Sequence, residues 1–244
     1  MRATTTEPGF GVTLKLDSSL ISDLPLFSGL SPEALDDILL RAHARHFAKG
    51  TPVFSQDEIA HSFFFLLHGR LRVTQVTPAG EQIVVRFVNP GDLFGVAPAL
   101  GRDTYPGTAT AVVDSLALLW PSAVWPQMMA QHGHLAVNAM RMIGGRLQEA
   151  HQRLREISTE DVERRVAHAV LKLGAEAGHE SARGMQIDFP VSRQDIAEIT
   201  ATTLHSVSRI MSAWEAAGVV ESGRQRVIIR DRARLQTIAD GTAV

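Results

Sequence analysis

The sequence predicts an α+β chain with an antiparallel β-roll (a jelly roll), then a long helix, then a winged helix-turn-helix. Three observations carry this. Between Phe47 and Leu119, short apolar or alternating runs are punctuated by Gly/Pro turns, the texture of a barrel or jelly roll. Ala136, Met140, Ile143, Leu147, Ala150, Leu154 and Ile157 recur at alternating spacings of four and three, a heptad seam over about three heptads. From Val191 to Arg230, two short helical patterns flank a tight turn and lead into a hairpin pattern.

Taken in order, residues 1–17 are expected to form a loosely ordered arm, and they lack the apolar stretch of a signal peptide. Leu20 to Leu40 reads as largely helical, with a break near Ser28-Gly29. Ser31-Pro32-Glu33 supplies a cap, a first-turn proline and an early acid. In the roll, residues 18–121, Lys49-Gly50 is a turn. Ser62 to His68 is an apolar strand ending at Gly69, and Leu71 to Val76 alternates with period two. Pro78-Ala79-Gly80 turns the chain into a return strand, Gln82 to Val88, and Asn89 to Asp92 turns it again. Thr108 to Val113 and Leu116 to Trp120 are further strands.

Residues 122–157 carry the heptad seam. A seam this regular on one long helix points to a parallel homodimer through Met140, Ile143, Leu147, Ala150, Leu154 and Ile157; the alternative is a helix packed on its own domain. Gly144-Gly145 lowers helix propensity but permits close backbone approach. The last domain, residues 158–244, is expected to open at Ser158 with Asp161 in a capping-box-like position. Val162, Val166, Ala169, Val170 and Leu173 form its buried face.

In the helix-turn-helix, Ser192 can N-cap the first helix, with Asp195 three residues on. Thr202 or Thr203 can cap the second. Leu204, Val207, Met211 and Trp214 share one face of it. His205, Ser206, Ser208 and Arg209 lie opposite, where such a helix carries its base-reading side chains. Gly218 fits a helix stop. Val219 to Ile229 reads as a wing turning at Ser222-Gly223, with Arg224 and Arg226 near its tip. From Thr202 to Arg234, six arginines stand against Glu215, Glu221 and Asp231, a local net charge of +3 and a modest footprint for duplex DNA.

Composition narrows the function. The 244 residues carry a formal net charge of −2 and 45% hydrophobic residues, so the chain builds a core and any nucleic-acid contact is a local patch. The absence of cysteine excludes disulfides, a cysteine-held iron–sulfur cluster and thiolate catalysis. No apolar run approaches the ~18 residues of a membrane span. A cytoplasmic protein without membrane contact is expected.

The order of these parts resembles the Crp–Fnr family of bacterial transcription regulators, over about Leu24 to Arg230. The resemblance rests on the Gly69 turn after an apolar strand, the Gly80 hairpin, Pro90-Gly91-Asp92-Leu93-Phe94-Gly95, and Val191 to Arg209. It implies a cyclic-nucleotide-binding-like roll holding a small effector, a two-fold contact along the long helix, and recognition helices entering successive major grooves of a palindromic duplex about 34 Å apart. RNA polymerase is the further partner it implies. By position, His205, Ser208 and Arg209 fall where Fnr-like members read bases; Arg209 can pair bidentately with guanine. Ser192, Arg193, Thr202, Thr203, Ser206 and Arg224 complete the DNA-contacting set, with Arg193, Thr203 and Ser206 on phosphates. His205 stands where the family usually has glutamate. A carboxylate accepts from cytosine N4, whereas neutral histidine offers one donor and one acceptor. The family's preference at that base pair therefore does not carry over; the alternative is a solvent-facing His205.

The effector is less legible. Cyclic-nucleotide-binding members have a glutamate after the Gly-rich turn and a later Arg-Ser pair. Here Val96 follows Gly95, and Tyr105-Pro106-Gly107-Thr108 occupies the later region, so a cyclic phosphodiester lacks its cation. The chain is closer in character to the Dnr/Nnr-type branch, thought to sense nitric oxide through haem. Haem needs an axial ligand and an apolar pocket. His43, His46, His61 and His68 are candidate ligands, and Phe63, Phe64, Phe65, Phe87 and Phe94 candidate lining or ordinary core. No axial ligand is singled out. The alternatives are another small ligand or a protein partner. A cupin-type metalloenzyme is the remote one, because the only His-x-His, His132-Gly133-His134, lies beyond the roll. No enzyme is expected.

Overall fold

The computed structural model describes residues 18–241; the expected arm at 1–17 lies outside them. After a 3-10 turn at Ser18–Leu20 and further turns, α1 covers Pro32–Leu40. The helix expected from Leu20 is thus confined to its last nine residues, where Ser31 caps the N–H of Ala34.

Strands β1 (His43–Phe47), β2 (Pro52–Phe54), β3 (Ser62–His68), β4 (Leu71–Val76), β5 (Gln82–Val88), β6 (Leu93–Phe94), β7 (Thr108–Ala111) and β8 (Ser115–Pro121) follow. They form two four-stranded antiparallel sheets, β1-β8-β3-β6 and β2-β7-β4-β5. The strand expected to reach Val113 ends at Ala111.

Strand β3 explains the layering. It is apolar from Phe63 to Leu67 because both its faces are buried there. Phe64 and Leu66 enter the roll interior with Phe47, Phe54, Leu71, Val88 and Phe94. Phe63 and Phe65 face the helical side with Phe27, Ile38, Leu118 and Trp120. The chain reverses after β3 at Gly69, whose φ is +88° and where a Cβ would lie 2.3 Å from Ser115 Oγ and 2.5 Å from Asp114 O. Only glycine meets both demands.

A short α2 (Trp125–Gln131) precedes α3 (Gly133–Thr159). The first turns of α3 are anchored on the roll: Leu135 and Ala139 are buried, and Asn138 donates to the carbonyls of Leu26 and Ser28 at 3.1 and 2.8 Å. Ser158 lies in the last turn of α3 and does not begin a helix; Asp161 is the N-cap of α4 (Val162–Ala177), accepting from the Arg164 N–H.

A hairpin of β9 (Gly178–Ser181) and β10 (Gly184–Ile187) precedes α5 (Arg193–Ile199) and α6 (Leu204–Ala216), followed by β11 (Val220–Gly223), β12 (Arg226–Ile229) and α7 (Arg232–Asp240). The wing thus belongs to a sheet ordered β11-β12-β10-β9. Gly223 pairs with Arg226, so the turn is Arg224-Gln225 and not Ser222-Gly223. The core of this domain, built on Val166, Val170, Ile196, Val207, Met211 and Trp214, is continuous with Val84 and Phe87 of β5. No helix among the described residues is long and apolar enough to cross a membrane.

Candidate nucleic-acid interface

The two helices of the helix-turn-helix are fixed by their ends. The hydroxyl of Ser192 accepts from the Asp195 N–H at 3.1 Å, while the Asp195 carboxylate accepts from the Ser192 N–H at 2.9 Å. This reciprocal box satisfies two of the donors a helix start leaves open. The turn runs through Thr200-Ala201-Thr202, with Ala201 at φ +50°. Arg165 of α4 holds it by donating to the Thr200 carbonyl at 3.1 Å. Thr203, not Thr202, caps α6, accepting from the Ser206 N–H at 3.1 Å.

Helix α6 has two unlike faces. Val207, Ile210, Met211 and Trp214 are buried, and the Trp214 indole donates to Glu163 at 2.9 Å. Leu204 departs from the expected apolar face: it is the first residue of the helix and is 47% exposed. Opposite, His205 and Arg209 are exposed and Ser206 and Ser208 half-buried. Arg209, His205 and Arg224 make no hydrogen bond or ion pair with a described residue. Ala217 and Gly218, the latter at φ +71°, end the helix, with the N–H of Val219 on the Trp214 carbonyl at 2.9 Å, a Schellman arrangement.

The structure brings the other candidates together differently. Arg193 reaches across the motif to Glu215 at 3.1 Å and Ser222 at 2.9 Å. Glu215 also accepts from the hydroxyl and the N–H of Ser222. Arg193 thus braces α5, α6 and the wing against one another. The Ser192 hydroxyl is spent on Asp195, and Thr203 and Ser206 hydroxyls bond each other at 3.0 Å. On the wing, Arg226 and Arg230 converge with Arg183 on Glu221. Arg224 alone stands at the tip, exposed. The brace of Arg193, Glu215 and Ser222 escaped sequence reasoning because its members are separated by up to 29 residues and follow no period.

The seam of α3 is open to solvent in one copy of the chain: Met140, Leu147 and Leu154 are 70%, 58% and 63% exposed, Ala150 and Ile157 are also exposed, and Ile143 is half-buried. Ala150, Leu154 and Ile157 also line a cleft of about 1380 Å³ between β5, α3 and α4. At its edge, Asp92 takes both Arg86 at 3.2 Å and Arg146 at 2.6 Å. Burial, then the neighbouring Arg146 charge, pushes the Arg86 guanidinium down to about 10.

Inside the roll, Phe54 stacks on Tyr105 at 3.8 Å between ring centroids, and Phe64 on Phe94 at 5.1 Å. The Tyr105 hydroxyl donates to the Ser62 carbonyl at 2.6 Å and accepts from its N–H at 3.2 Å; burial raises its pKa. His43, His46, His61 and His68 are all exposed, so none points into this ring cluster. Phe63 and Phe65 lie on the other side of β3, and Phe87 packs edge-on against Phe189 of the C-terminal domain. No group of three or more His, Asp or Glu side chains among the described residues could hold a metal ion.

Comparison with known proteins agrees with these parts. The cyclic nucleotide-binding domain family matches residues 44–132, and the Crp-like helix-turn-helix domain family matches residues 164–238. The cyclic AMP receptor protein of Thermus thermophilus is 29% identical over 90% of this chain and 98% of its own. The transcriptional activator FnrA of Stutzerimonas stutzeri is 28% identical over 86% of this chain and 84% of its own. A crystal structure of a CRP-family regulator from Thermus thermophilus superposes with a TM-score of 0.70 at 25% identity, covering 82% of this chain and 97% of that one. A roll of one family, a helix-turn-helix of the other, and relatives that share both in the same order place this chain in the Crp–Fnr family of DNA-binding transcription regulators, which are not enzymes.

Proposed function

We propose that the chain acts as a homodimer in the cytoplasm, reading a near-palindromic duplex and responding to an effector through its roll. The observation that carries this is the exposed face of α6 on which Arg209 and His205 have no partner among the described residues, opposite the buried Val207, Ile210, Met211 and Trp214. Arg209 pairs with guanine in the major groove. His205 and Ser208 read neighbouring base edges. Thr202, Thr203, Ser206 and Arg224 meet the backbone. Arg193 and Ser192 serve the interface by holding it in shape. RNA polymerase is the protein partner such a regulator addresses.

The open seam and the cleft beside it support the dimer. An added Cβ at Gly144 or Gly145 meets nothing within 4 Å, so the chain's own fold does not demand glycine there; close approach of a second α3 does. Leu147→Glu places a charge at the centre of that contact. It is expected to halve the mass measured by light scattering, leave the fold by circular dichroism intact, and cost operator binding. A wild-type mass of one chain would contradict the dimer, and a dimer mass that survives Leu147→Glu would contradict its placement on this seam.

Val96 follows Gly95 and Tyr105-Pro106-Gly107-Thr108 occupies the later region, so the acid and the Arg-Ser pair that a cyclic nucleotide would need are not there, and Tyr105 is built into the core. The cyclic AMP of the Thermus relative's name therefore does not transfer. Haem-borne nitric oxide sensing does not fit the roll either, since its histidines face outward and its rings fill the interior. Haem titrated into the purified protein should give only weak, non-saturating uptake; a stoichiometric Soret shift would reinstate that reading. What the geometry favours is an effector or partner acting at the cleft between β5, α3 and α4.

A further inference from the structure

We propose that Arg72 of the roll and Arg153 of the long helix are positioning residues for DNA reading. They grip α5 at its two ends and so set where α6 points relative to the two-fold axis. The proposal rests on the dimeric reading above.

At the first end, Arg72 on β4 forms an ion pair with Asp195. Asp195 is 6% exposed and is also the acid of the α5 capping box. Its Oδ2 accepts from the Ser192 N–H at 2.9 Å and hydroxyl at 2.6 Å, which leaves Oδ1 for Arg72. The Arg72 Nε finds no partner among the described residues, and the guanidinium brings a positive charge from the roll to the buried Asp195 carboxylate. One carboxylate thus ties the start of the helix-turn-helix to the roll.

At the other end, Arg153 of α3 donates to the Glu198 carbonyl at 3.2 Å, one of the acceptors a helix leaves unsatisfied in its last turn. The same guanidinium donates to Val85 at 2.7 Å and Val84 at 2.9 Å on β5. Arg153 therefore joins roll, dimer helix and α5 in one place. The roll also touches the C-terminal domain where Phe87 meets Phe189 edge-on at 4.8 Å and the Arg70 guanidinium lies 4.1 Å over the Phe189 ring. None of these groups belongs to the exposed face of α6. Their effect on DNA must pass through the rigid α5–α6 unit.

The test uses the full chain and a palindromic duplex selected by the wild type from a random pool, beside the same duplex with one half scrambled. A residue that only positions α6 against its two-fold mate matters when both halves are engaged at once. Arg72→Ala is expected to weaken binding to the palindrome by up to about tenfold, from one ion pair lost in each of the two subunits. Affinity for the half-scrambled duplex should stay near wild type, with Arg72→Lys recovering part of the loss. Arg153→Ala gives the same readout from the other end should Arg72→Ala fold poorly. Equal losses on both duplexes would mean a local folding effect and would overturn the proposal, as would unchanged or tighter binding to the palindrome. A wild type with no preference for the palindrome would overturn the two-fold reading and this one with it.

Discussion

In the C-terminal domain, the exposed polar face of α6 lies outside a complete core; in the roll, the corresponding concave space is filled by the protein's own rings. Arg209 and His205 project from α6 with no partner among the described residues, while Val207, Met211 and Trp214 behind them are buried. Inside the roll, Phe54, Phe64, Phe94 and Tyr105 stack on one another. A surface built to meet a ligand outside the chain keeps charged groups unspent. A core that has met its own needs does not. The contrast is why the proposed DNA-reading role falls on particular side chains of α6, and the proposed effector role on the cleft beside α3 rather than on the roll interior.

Two changes break the comparison from opposite sides. Arg209→Ala removes the unspent guanidinium. At about 1–3 kcal/mol per bidentate base contact, and with two copies in a dimer, specific binding should collapse to the level of unrelated duplex. Fluorescence anisotropy against both duplexes checks this, and the melting temperature should not move. Phe54→Ala does the reverse. Deleting a ring buried in a packed core costs about 3–5 kcal/mol, so the roll should melt earlier, seen by calorimetry. The affinity of still-folded protein for a half-scrambled duplex should stay the same. A Phe54→Ala protein of wild-type stability would mean the rings leave room for a ligand after all.

The contrast also marks what the sequence makes legible. Ser192 and Asp195, Thr203, Gly218 and the face of Val207, Met211 and Trp214 could be read because caps, stops and helical period are local rules. Strands β3, β4 and β5 could be read for the same reason. The wing turn was displaced by two residues because Ser222-Gly223 carries the usual turn chemistry, while pairing of Gly223 with Arg226 puts Arg224-Gln225 at the tip. The helical reading of Leu20 to Leu30 failed because its apolar residues, Ile21, Leu26 and Phe27, are buried in turns against α1 and β3 rather than along one face. Strands β9 and β10 are not legible because Gly178–Ser181 and Gly184–Ile187 carry no alternating apolar run; they are held by long-range pairing, β10 with β12 and β9 with β10. The fate of Arg193, drawn to Glu215 and Ser222, depends on residues far along the chain.

The measurement that tests the account most directly is selection of binding sites by the purified wild-type protein from a random duplex pool. The account predicts one enriched motif with two-fold symmetry, half-site centres about 34 Å apart, and a guanine in each half that is no longer selected by Arg209→Ala. A motif without symmetry, no enrichment above random, or a guanine preference that survives Arg209→Ala would contradict it.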